Sequence, residues 1–290
     1  MNDIIQSLWI GRPLSLIEQL SITSFLQNGH QYHLYCYGEI RHVPAGTSLC
    51  DAAEILPASE IFCYRHGAGK GSVAAFANLF RYKLLFERGG WWTDTDMVCL
   101  RPFDFAEPVV FASERGATAT KASNAVIRLP PGHDVARSCY RAARQEDRSK
   151  MTWGKTGPHL IDRIVRETGL QHFVKAPDVF CPLDYWRWKT LLEKNPNSSA
   201  PLFTGKSHAI HLWHEQWRRA GVKMNPATGE FQSMNFFQGL WRRMRRKPTL
   251  TFDDTTPLAG LLHKYLGPRF TAHGQVNGIG QPIPAKSRLI

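Results

Sequence analysis

One stretch of the chain, residues 71–100, constrains the fold more than any other. Its apolar residues recur at three- and four-residue steps over 73–86, which predicts a helix with one buried face. Gly89-Gly90 then stops the helix, because glycine tolerates the positive φ found at many helix ends. The aromatic run at 91–93 favours a strand, and Asp94-Thr95-Asp96 follows it directly.

The two carboxylates of this strand end, Asp94 and Asp96, can converge on one divalent cation if the backbone turns there. Oxygen ligands suit Mg²⁺ or Mn²⁺, which usually complete their shell with phosphate oxygens. An isolated Asp-x-Asp triplet also occurs on ordinary solvated turns, so the triplet alone does not decide the matter. The helix, the glycine pair, the aromatic strand and the two aspartates together predict a site for a nucleotide diphosphate.

The order of these residues resembles a known family. Asn78-Leu79-Phe80-Arg81, Leu84-Leu85, Gly89-Gly90 and Asp94-Thr95-Asp96 are similar to the Asp-x-x-Arg…Leu…Gly-Gly-x-Tyr-x-Asp-x-Asp signature of glycosyltransferase family 32. The resemblance implies a GT-A-like α/β fold, a nucleotide-diphosphate sugar donor, a Mn²⁺ or Mg²⁺ ion and retention of the anomeric configuration. Two residues depart from the signature, since Asn78 stands where the family commonly has Asp and Trp92 where it commonly has Tyr.

Length and composition fit one large domain with additions. The chain has 290 residues, of which 43% are apolar, enough for a full core. Its first forty residues read as strand, helix, strand, which favours a parallel α/β sheet. We expect a GT-A-like domain over 1–230, a basic amphipathic helical extension over 231–270 and a flexible tail over 271–290.

The charge of the chain favours anionic partners. Lysine and arginine number 36 and aspartate and glutamate 24, which gives a net charge of +12. No nucleic-acid-binding motif is present, so nucleotide sugars and anionic membrane surfaces are the expected anionic partners rather than nucleic acid. Six scattered cysteines indicate reduced thiols. Without a signal-like start or a long apolar run, we expect a cytoplasmic protein, at most peripheral to the inner face of the membrane.

The resemblance also implies contacts to the donor outside the aspartates. In relatives the tryptophan of Trp9-Ile10-Gly11 stacks on the nucleotide base, and an asparagine placed like Asn124 faces the sugar. Asn78 is expected to contact the donor sugar. Arg81, three residues from it on the same helix face, can reach the sugar or a phosphate. Without the resemblance, a core tryptophan at the end of the first strand is the better interpretation of Trp9.

A second block, 209–217, resembles the family's Ala-Ile-His-His-Trp-Asn-Gly-Ser-Trp segment. It implies that His211 completes the metal site with Asp94 and Asp96, and that Trp217 contributes to donor binding. Histidine nitrogen is acceptable to Mn²⁺ and less so to Mg²⁺. A buried histidine that only hydrogen-bonds within the core is the alternative for His211.

The segment 236–247 combines aromatic residues with arginines. It fits an amphipathic helix lying on an anionic membrane, where lipid-linked acceptors reside. It fits equally a helix that docks its apolar face on the domain and leaves its basic face in water.

The sequence as a whole predicts a metal-dependent retaining glycosyltransferase that acts on a saccharide or lipid-linked acceptor, in bacterial surface polysaccharide synthesis. A haloacid-dehalogenase-like phosphatase is an alternative, because Asp94-Thr95-Asp96-Met97-Val98 fits its opening motif. That opening normally follows an apolar strand near the N-terminus, which is not its position here. A non-catalytic sugar-binding protein is the third possibility, and it would not need paired carboxylates.

Overall fold

The computed structural model of the protein describes residues 3–11, 13–193, 202–224, 231–233, 249–250 and 256–267. Helices interrupt the succession of strands in the first half of the chain, as in an α/β protein. The strands are β1 (Ile5–Trp9), β2 (Tyr32–Cys36), β3 (Thr47–Asp51), β4 (Gly90–Thr93), β5 (Met97–Cys99), β6 (Val110–Arg115), β7 (Thr120–Leu129), β8 (Ala209–His211), β9 (Val222–Met224), β10 (Phe231–Ser233) and β11 (Thr249–Leu250). The helices are α1 (Leu16–Gln27), α2 (Ala74–Arg88), α3 (Asp134–Gln145), α4 (Pro158–Glu167), α5 (Pro177–Phe180), α6 (His214–Arg219) and α7 (Pro257–Leu266), and Tyr185–Leu191 forms a 3-10 helix.

The core is a six-stranded sheet with the order β3-β2-β1-β4-β7-β6. The four strands β1 to β4 run parallel, as the sequence predicts. β7 runs antiparallel to β6, because a turn at 116–119 joins the two strands directly and such a short connection reverses the chain. β7 also runs antiparallel to β4 on its other side. The α/β prediction is confirmed, and the sheet is mixed rather than wholly parallel.

Successive residues of the central strands pack on opposite faces of the sheet. Trp91 belongs to the apolar cluster that contains the buried side of α1, whereas Trp92 belongs to the cluster that contains the buried side of α2. The two helices therefore cover opposite faces. The strand order also reverses between β1 and β4, and open α/β sheets bind ligands outside the carboxyl ends of the strands at such a point.

The glycine pair ends α2 as the sequence predicts. Gly89 has a φ of +65°, and its N–H donates to the carbonyl of Leu85 at 3.0 Å. Gly90, with a φ of +89°, is the first residue of β4. Positive φ at both positions turns the chain from the helix directly into the strand that carries the aspartates.

A small antiparallel pair, β5 and β8, brings the later part of the chain to the end of β4. Met97 lies opposite His211 in this pair. Hydroxyl groups of α1 support β5, because the Ser21 hydroxyl donates to the Met97 carbonyl at 2.6 Å and the Cys99 N–H donates to the Ser24 hydroxyl at 2.8 Å. The pairing of β8 with β5 thus brings the segment 209–217, which is predicted to complete the site, next to the end of β4.

Helix α7 packs its apolar side into the core beside α1. The Gln27 side chain donates to the carbonyl of Tyr265 at 2.9 Å, and the Tyr265 hydroxyl donates to the carbonyl of Cys99 at 2.6 Å. Leu258, Leu261 and Leu262 are buried in the same cluster as α1. The segment 257–266 is therefore part of the domain core.

The remaining C-terminal strands β9, β10 and β11 form a three-stranded antiparallel sheet. Two of them fall within 231–270, so the described parts of the predicted basic extension are two strands and α7 rather than one continuous helix. The basic segment 236–247 and the predicted flexible tail 271–290 lie outside the described residues. The domain boundaries at 230 and 270 stay predictions.

No helix within the described ranges combines the length and the apolar character needed to cross a bilayer. All six cysteines lie within these ranges and are unpaired, which agrees with the expectation of reduced thiols.

The turn at Gly89 provides a test of the helix-to-strand junction. A Cβ at this position would lie 2.6 Å from the backbone nitrogen of Pro131, and the positive φ is itself unfavourable for alanine. We expect Gly89→Ala to lower the free energy of unfolding by about 1–3 kcal/mol more than Gly29→Ala does, because overpacking adds to the backbone cost.

Gly29 is the matched control, since it also has a positive φ but nothing lies within 4 Å of its added Cβ. Denaturant unfolding curves measure both variants. Equal losses for the two substitutions would show that the contact with Pro131 does not constrain the junction.

Candidate active site

The backbone turns immediately after β4 and brings the two aspartates together. The Asp94 N–H donates to the Ala125 carbonyl at 2.9 Å, and the Met97 N–H donates back to the Asp94 carbonyl at 3.1 Å. The second bond closes a tight turn over 94–97. One ligand atom from each of Asp94, Asp96 and His211 lies within 4.8 Å of the others, so the structure brings together the three residues predicted to bind metal.

Asp96 is the most firmly held member of this group. Its Oδ1 lies 3.2 Å from Nε2 of His211, and its Oδ2 accepts the backbone N–H of His214 at 2.9 Å. The Asp96 carbonyl also accepts the N–H of Leu212 at 3.0 Å. Burial opposes ionisation, but the charge and hydrogen bond of His211 and the N–H of His214 outweigh it and lower the pKa of Asp96 to about 2.

Asp94 has a different environment. Arg81 Nη2 and Trp92 Nε1 each lie 3.0 Å from its Oδ1. Burial, together with the charge of Asp96, raises the pKa of Asp94 despite the opposing effect of Arg81. The two aspartates therefore differ in how strongly the free protein favours their charged forms, and a cation between them would relieve the repulsion.

Arg81 is buried and directed at protein groups. Its guanidinium lies over the Trp92 ring at 4.6 Å and donates to the carbonyl of Asn124 as well as binding Asp94. In this arrangement Arg81 holds Asp94 in place. Its predicted contact with the sugar or a phosphate stays a prediction.

His211 is 7% exposed and lies flat against Trp213, with ring centroids 3.8 Å apart. Burial alone would lower the pKa of His211, but the charge and hydrogen bond of Asp96 raise it well above its ordinary value. Its Nδ1 is buried and makes no hydrogen bond with the described residues, although the Cys181 thiol is close enough to affect its charge.

These donors fit a divalent cation. Two carboxylates and one imidazole suit Mn²⁺ well and Mg²⁺ less well, because Mg²⁺ prefers oxygen ligands throughout. A cation would have to replace the proton that the His211 and Asp96 pair now shares, since a histidine binds metal as the neutral imidazole.

The backbone of Trp213 forms the turn that directs the His211 side chain and the His214 N–H at Asp96. Its φ of 57° and ψ of 40° are left-handed, which is rare for a bulky residue and costs about 1–3 kcal/mol. The indole N–H donates to the Leu183 carbonyl at 2.8 Å, and the stack on His211 holds the ring. Because the chain turns at Trp213, the side chain of His211 and the N–H of His214 both reach Asp96.

A buried carboxylate supports this turn from α1. Glu18 is 1% exposed and accepts the Ser15 N–H at 2.7 Å in a capping box, and its other oxygen lies 3.2 Å from Nδ1 of His214. Sequence reasoning identified neither Glu18 nor Trp213. The Ser15-x-x-Glu18 spacing does indicate a helix cap, but nothing local indicates the partner 196 residues away.

The predicted sugar contacts form a polar network beside Arg81. The Asn124 amide donates to Asn78 Oδ1 at 2.8 Å, and the Asn78 amide donates to the Thr156 hydroxyl at 3.2 Å. A Cβ on Gly157 would lie 3.1 Å from the Asn78 amide nitrogen, so the backbone there must approach closely. Both predicted asparagines are therefore in one network with the guanidinium that binds Asp94.

The two predicted tryptophans differ in placement. Trp9 is half-buried at the carboxyl end of β1, next to β4 at the point where the strand order reverses. Trp217 is 1% exposed and packs against Trp188 and His214. Its ring thus supports α6 from within the core, and its predicted donor contact stays a prediction.

Comparison with known proteins identifies two matching regions. Residues 48–115 match the glycosyltransferase sugar-binding region containing DXD motif, and residues 129–230 match the alpha 1,4-glycosyltransferase conserved region. These matches confirm the resemblance to glycosyltransferases predicted from the sequence. The first region contains Asp94 and Asp96, and the second contains His211.

A human relative, alpha-1,4-N-acetylglucosaminyltransferase, is 25% identical to this chain over 147 residues, which are 46% of this chain and 41% of the relative. The match thus spans less than half the length of that relative. Two solved structures are similar. PaToxG glycosyltransferase has a TM-score of 0.44 and 14% identity, and the match covers 58% of this chain and 70% of the other. The apo-form glycosyltransferase GlyE of Streptococcus pneumoniae TIGR4 has a TM-score of 0.43 and 12% identity, and the match covers 73% of this chain and 54% of the other. Both structural likenesses are partial.

The asparagine network makes a testable prediction at position 78. We expect Asn78→Leu to lower the free energy of unfolding by about 1–3 kcal/mol, because it leaves the buried groups of Asn124 and Thr156 without their partner. Asn78→Asp should be tolerated, since the Thr156 hydroxyl can turn to donate to the new oxygen while Asn124 still donates to the other. Denaturant unfolding of the three proteins measures this, and an unfolded Asn78→Asp protein would show that the network excludes a carboxylate.

The stack of Trp213 on His211 makes a second prediction. Trp213→Leu should weaken Mn²⁺ binding by about tenfold, because groups that orient a metal ligand typically affect affinity on this scale. Trp213→Phe is the matched control, since it also loses the hydrogen bond to Leu183 but keeps an aromatic ring. Electron paramagnetic resonance of free Mn²⁺ gives both affinities, and equal affinities in the two variants would refute an orienting role for the ring.

Proposed function

We propose that this chain is a metal-dependent, retaining glycosyltransferase that moves a sugar from a nucleotide-diphosphate donor to a saccharide or lipid-linked acceptor. The observation that supports this most is the convergence of Asp94, Asp96 and His211 within 4.8 Å. The site lies where β4 ends beside β1, the part of an α/β sheet at which ligands bind. The two matched glycosyltransferase regions support the same reading.

The residues of the site have separate tasks in this proposal. Asp94, Asp96 and His211 hold a Mn²⁺ or Mg²⁺ ion, which supplies positive charge where the diphosphate leaves. Arg81 fixes Asp94 through a charge-assisted hydrogen bond, so the carboxylate need not reorganise during the reaction. Catalysis is then mainly electrostatic and depends on how rigidly these side chains are held.

The donor would extend from the aspartates towards the end of β1. Trp9, half-buried at that strand end, would stack on the base. Asn78 and Asn124 would bind the sugar hydroxyls, and in the free protein the Asn124 amide donates a hydrogen bond to Asn78 Oδ1. Retention follows from the family resemblance, and the departing phosphate would take the proton of the acceptor hydroxyl.

The cellular role belongs to the same proposal. We infer an acceptor of bacterial surface polysaccharide synthesis and a peripheral contact with anionic membrane through the basic segment 236–247. The support is the composition of that segment, whose arginines would attract anionic lipid headgroups.

A thermal-shift experiment with Mn²⁺ and UDP or GDP tests the proposal. In the wild type the pair should stabilise the protein, by about 2.7 kcal/mol when the free ligand is 100 times its Kd. Asp96→Asn should lose most of this ligand-induced shift, because the carboxylate that holds the cation becomes neutral. Hydrolysis of a panel of nucleotide sugars, the slow reaction without acceptor, should fall in the same variant.

Asp104→Asn is the matched control, because Asp104 is an exposed carboxylate of the same chain, 73% exposed and outside the site. It should keep both the shift and the hydrolysis. The comparison uses the shift rather than the melting temperature, since loss of the buried pair with His211 lowers stability by itself. An Asp96→Asn protein with wild-type hydrolysis would contradict the proposed site.

A further inference from the structure

An exposed tryptophan, Trp186, lies on a 3-10 helix that ring contacts connect to the candidate active site. In the 3-10 helix Tyr185–Leu191 residues three apart share one side, so Tyr185, Trp188 and Leu191 face inward. Trp188 and Leu191 are indeed buried in the main apolar cluster. Trp186 falls on the outward side and is 48% exposed. Its exposure therefore follows from the helix geometry and not from a loose loop.

A continuous series of ring contacts connects this tryptophan to the metal site. Trp186 meets Tyr185 edge to face, with centroids 4.9 Å apart and an interplanar angle of 83°. Tyr185 contacts Trp213 at 6.1 Å, and Trp213 stacks on His211 at 3.8 Å. Three ring contacts thus separate the exposed indole from a predicted metal ligand.

A carboxylate lies two residues before Trp186 in the chain. Asp184 is held by Arg115, whose Nη1 lies 3.2 Å from its Oδ1, and its side chain is 14% exposed. Arg115 also binds Asp178, so the carboxylate of Asp184 is anchored rather than free to rotate. A carboxylate held in this way offers hydrogen-bond acceptors in a defined direction.

We propose that Trp186, supported from below by Tyr185, forms the acceptor platform, on which a pyranose ring of the acceptor saccharide stacks. A pyranose has one face rich in C–H groups and a rim of hydroxyls. The C–H face would pack on the Trp186 indole, which removes apolar surface from water, while a rim hydroxyl donates to Asp184. The identity of the bound sugar as acceptor rests on the proposed function, which places the donor at the other side of the metal site, near Trp9.

Saturation-transfer NMR on the full chain tests the platform directly. The probes are the methyl β-glycosides of galactose, glucose and N-acetylglucosamine, with UDP plus Mg²⁺ as a separate sample, because paramagnetic Mn²⁺ would broaden the nucleotide signals. We expect saturation from protein aromatic protons to reach the ring C–H protons of at least one glycoside. Trp186→Ala should weaken this binding by about tenfold, and Trp186→Phe should restore most of it because the ring is kept.

The control substitution is Leu49→Ala, which removes another exposed apolar side chain, 50% exposed on the edge strand β3. It should leave glycoside binding unchanged. All variants should also keep the thermal shift produced by Mn²⁺ and UDP, and this shift separates the two proposals. If the wild type shows no shift with either UDP or GDP, the proposed function fails, whereas an intact shift without glycoside binding overturns the platform alone.

Two further results would overturn the platform. Glycoside binding that persists in Trp186→Ala would place the saccharide elsewhere. Saturation that reaches the UDP base and disappears in Trp186→Ala would show that the indole binds the donor nucleotide instead of the acceptor.

Discussion

The site depends on one largely buried carboxylate, Asp96, whose side-chain partners come from a distant part of the chain. Asp96 receives the His211 imidazole on one oxygen and the His214 N–H on the other. A buried carboxylate without such partners would be strongly unfavourable, so the turn after β4 and the block after β8 stabilise each other. The two matched family regions share this pair between them, since 48–115 contains both aspartates and 129–230 contains His211 and His214, the partners of Asp96. Neither region alone holds the complete site.

The same arrangement gives the two aspartates different properties although they are two residues apart. Asp96 stays ionised in the free protein, because its partners lower its pKa, whereas burial raises the pKa of Asp94. A cation favours the charged form of both aspartates. It therefore counteracts the burial that raises the pKa of Asp94, whereas the pKa of Asp96 is already lowered by its protein partners. Arg81 limits this difference by keeping Asp94 paired before any cation binds.

Sequence alone predicted those features that local patterns determine. The face of α2, the stop at Gly89 and the strand before Asp94 follow from residue spacing and backbone preference, and the structure confirms them. The proximity of His211 to the aspartates could be predicted only from the family resemblance, because the pairing of β5 with β8 leaves no local pattern in the sequence. Trp213 and Glu18 were missed for a related reason. Tryptophan rarely adopts the left-handed backbone conformation, and only the contacts around Trp213 explain why it is tolerated there.

The two departures from the family signature are compensated within the same cluster. Trp92, in the place of Tyr, uses its indole N–H to bind Asp94 and its ring face to bind Arg81. Asn78, in the place of Asp, donates to Thr156 and accepts from Asn124, and a carboxylate could not do both. A neutral residue at position 78 also adds no second negative charge on the helix face of Arg81. No carboxylate at position 78 then competes with Asp94 for the guanidinium, so the substitution at 78 helps to hold the first aspartate of the motif in place.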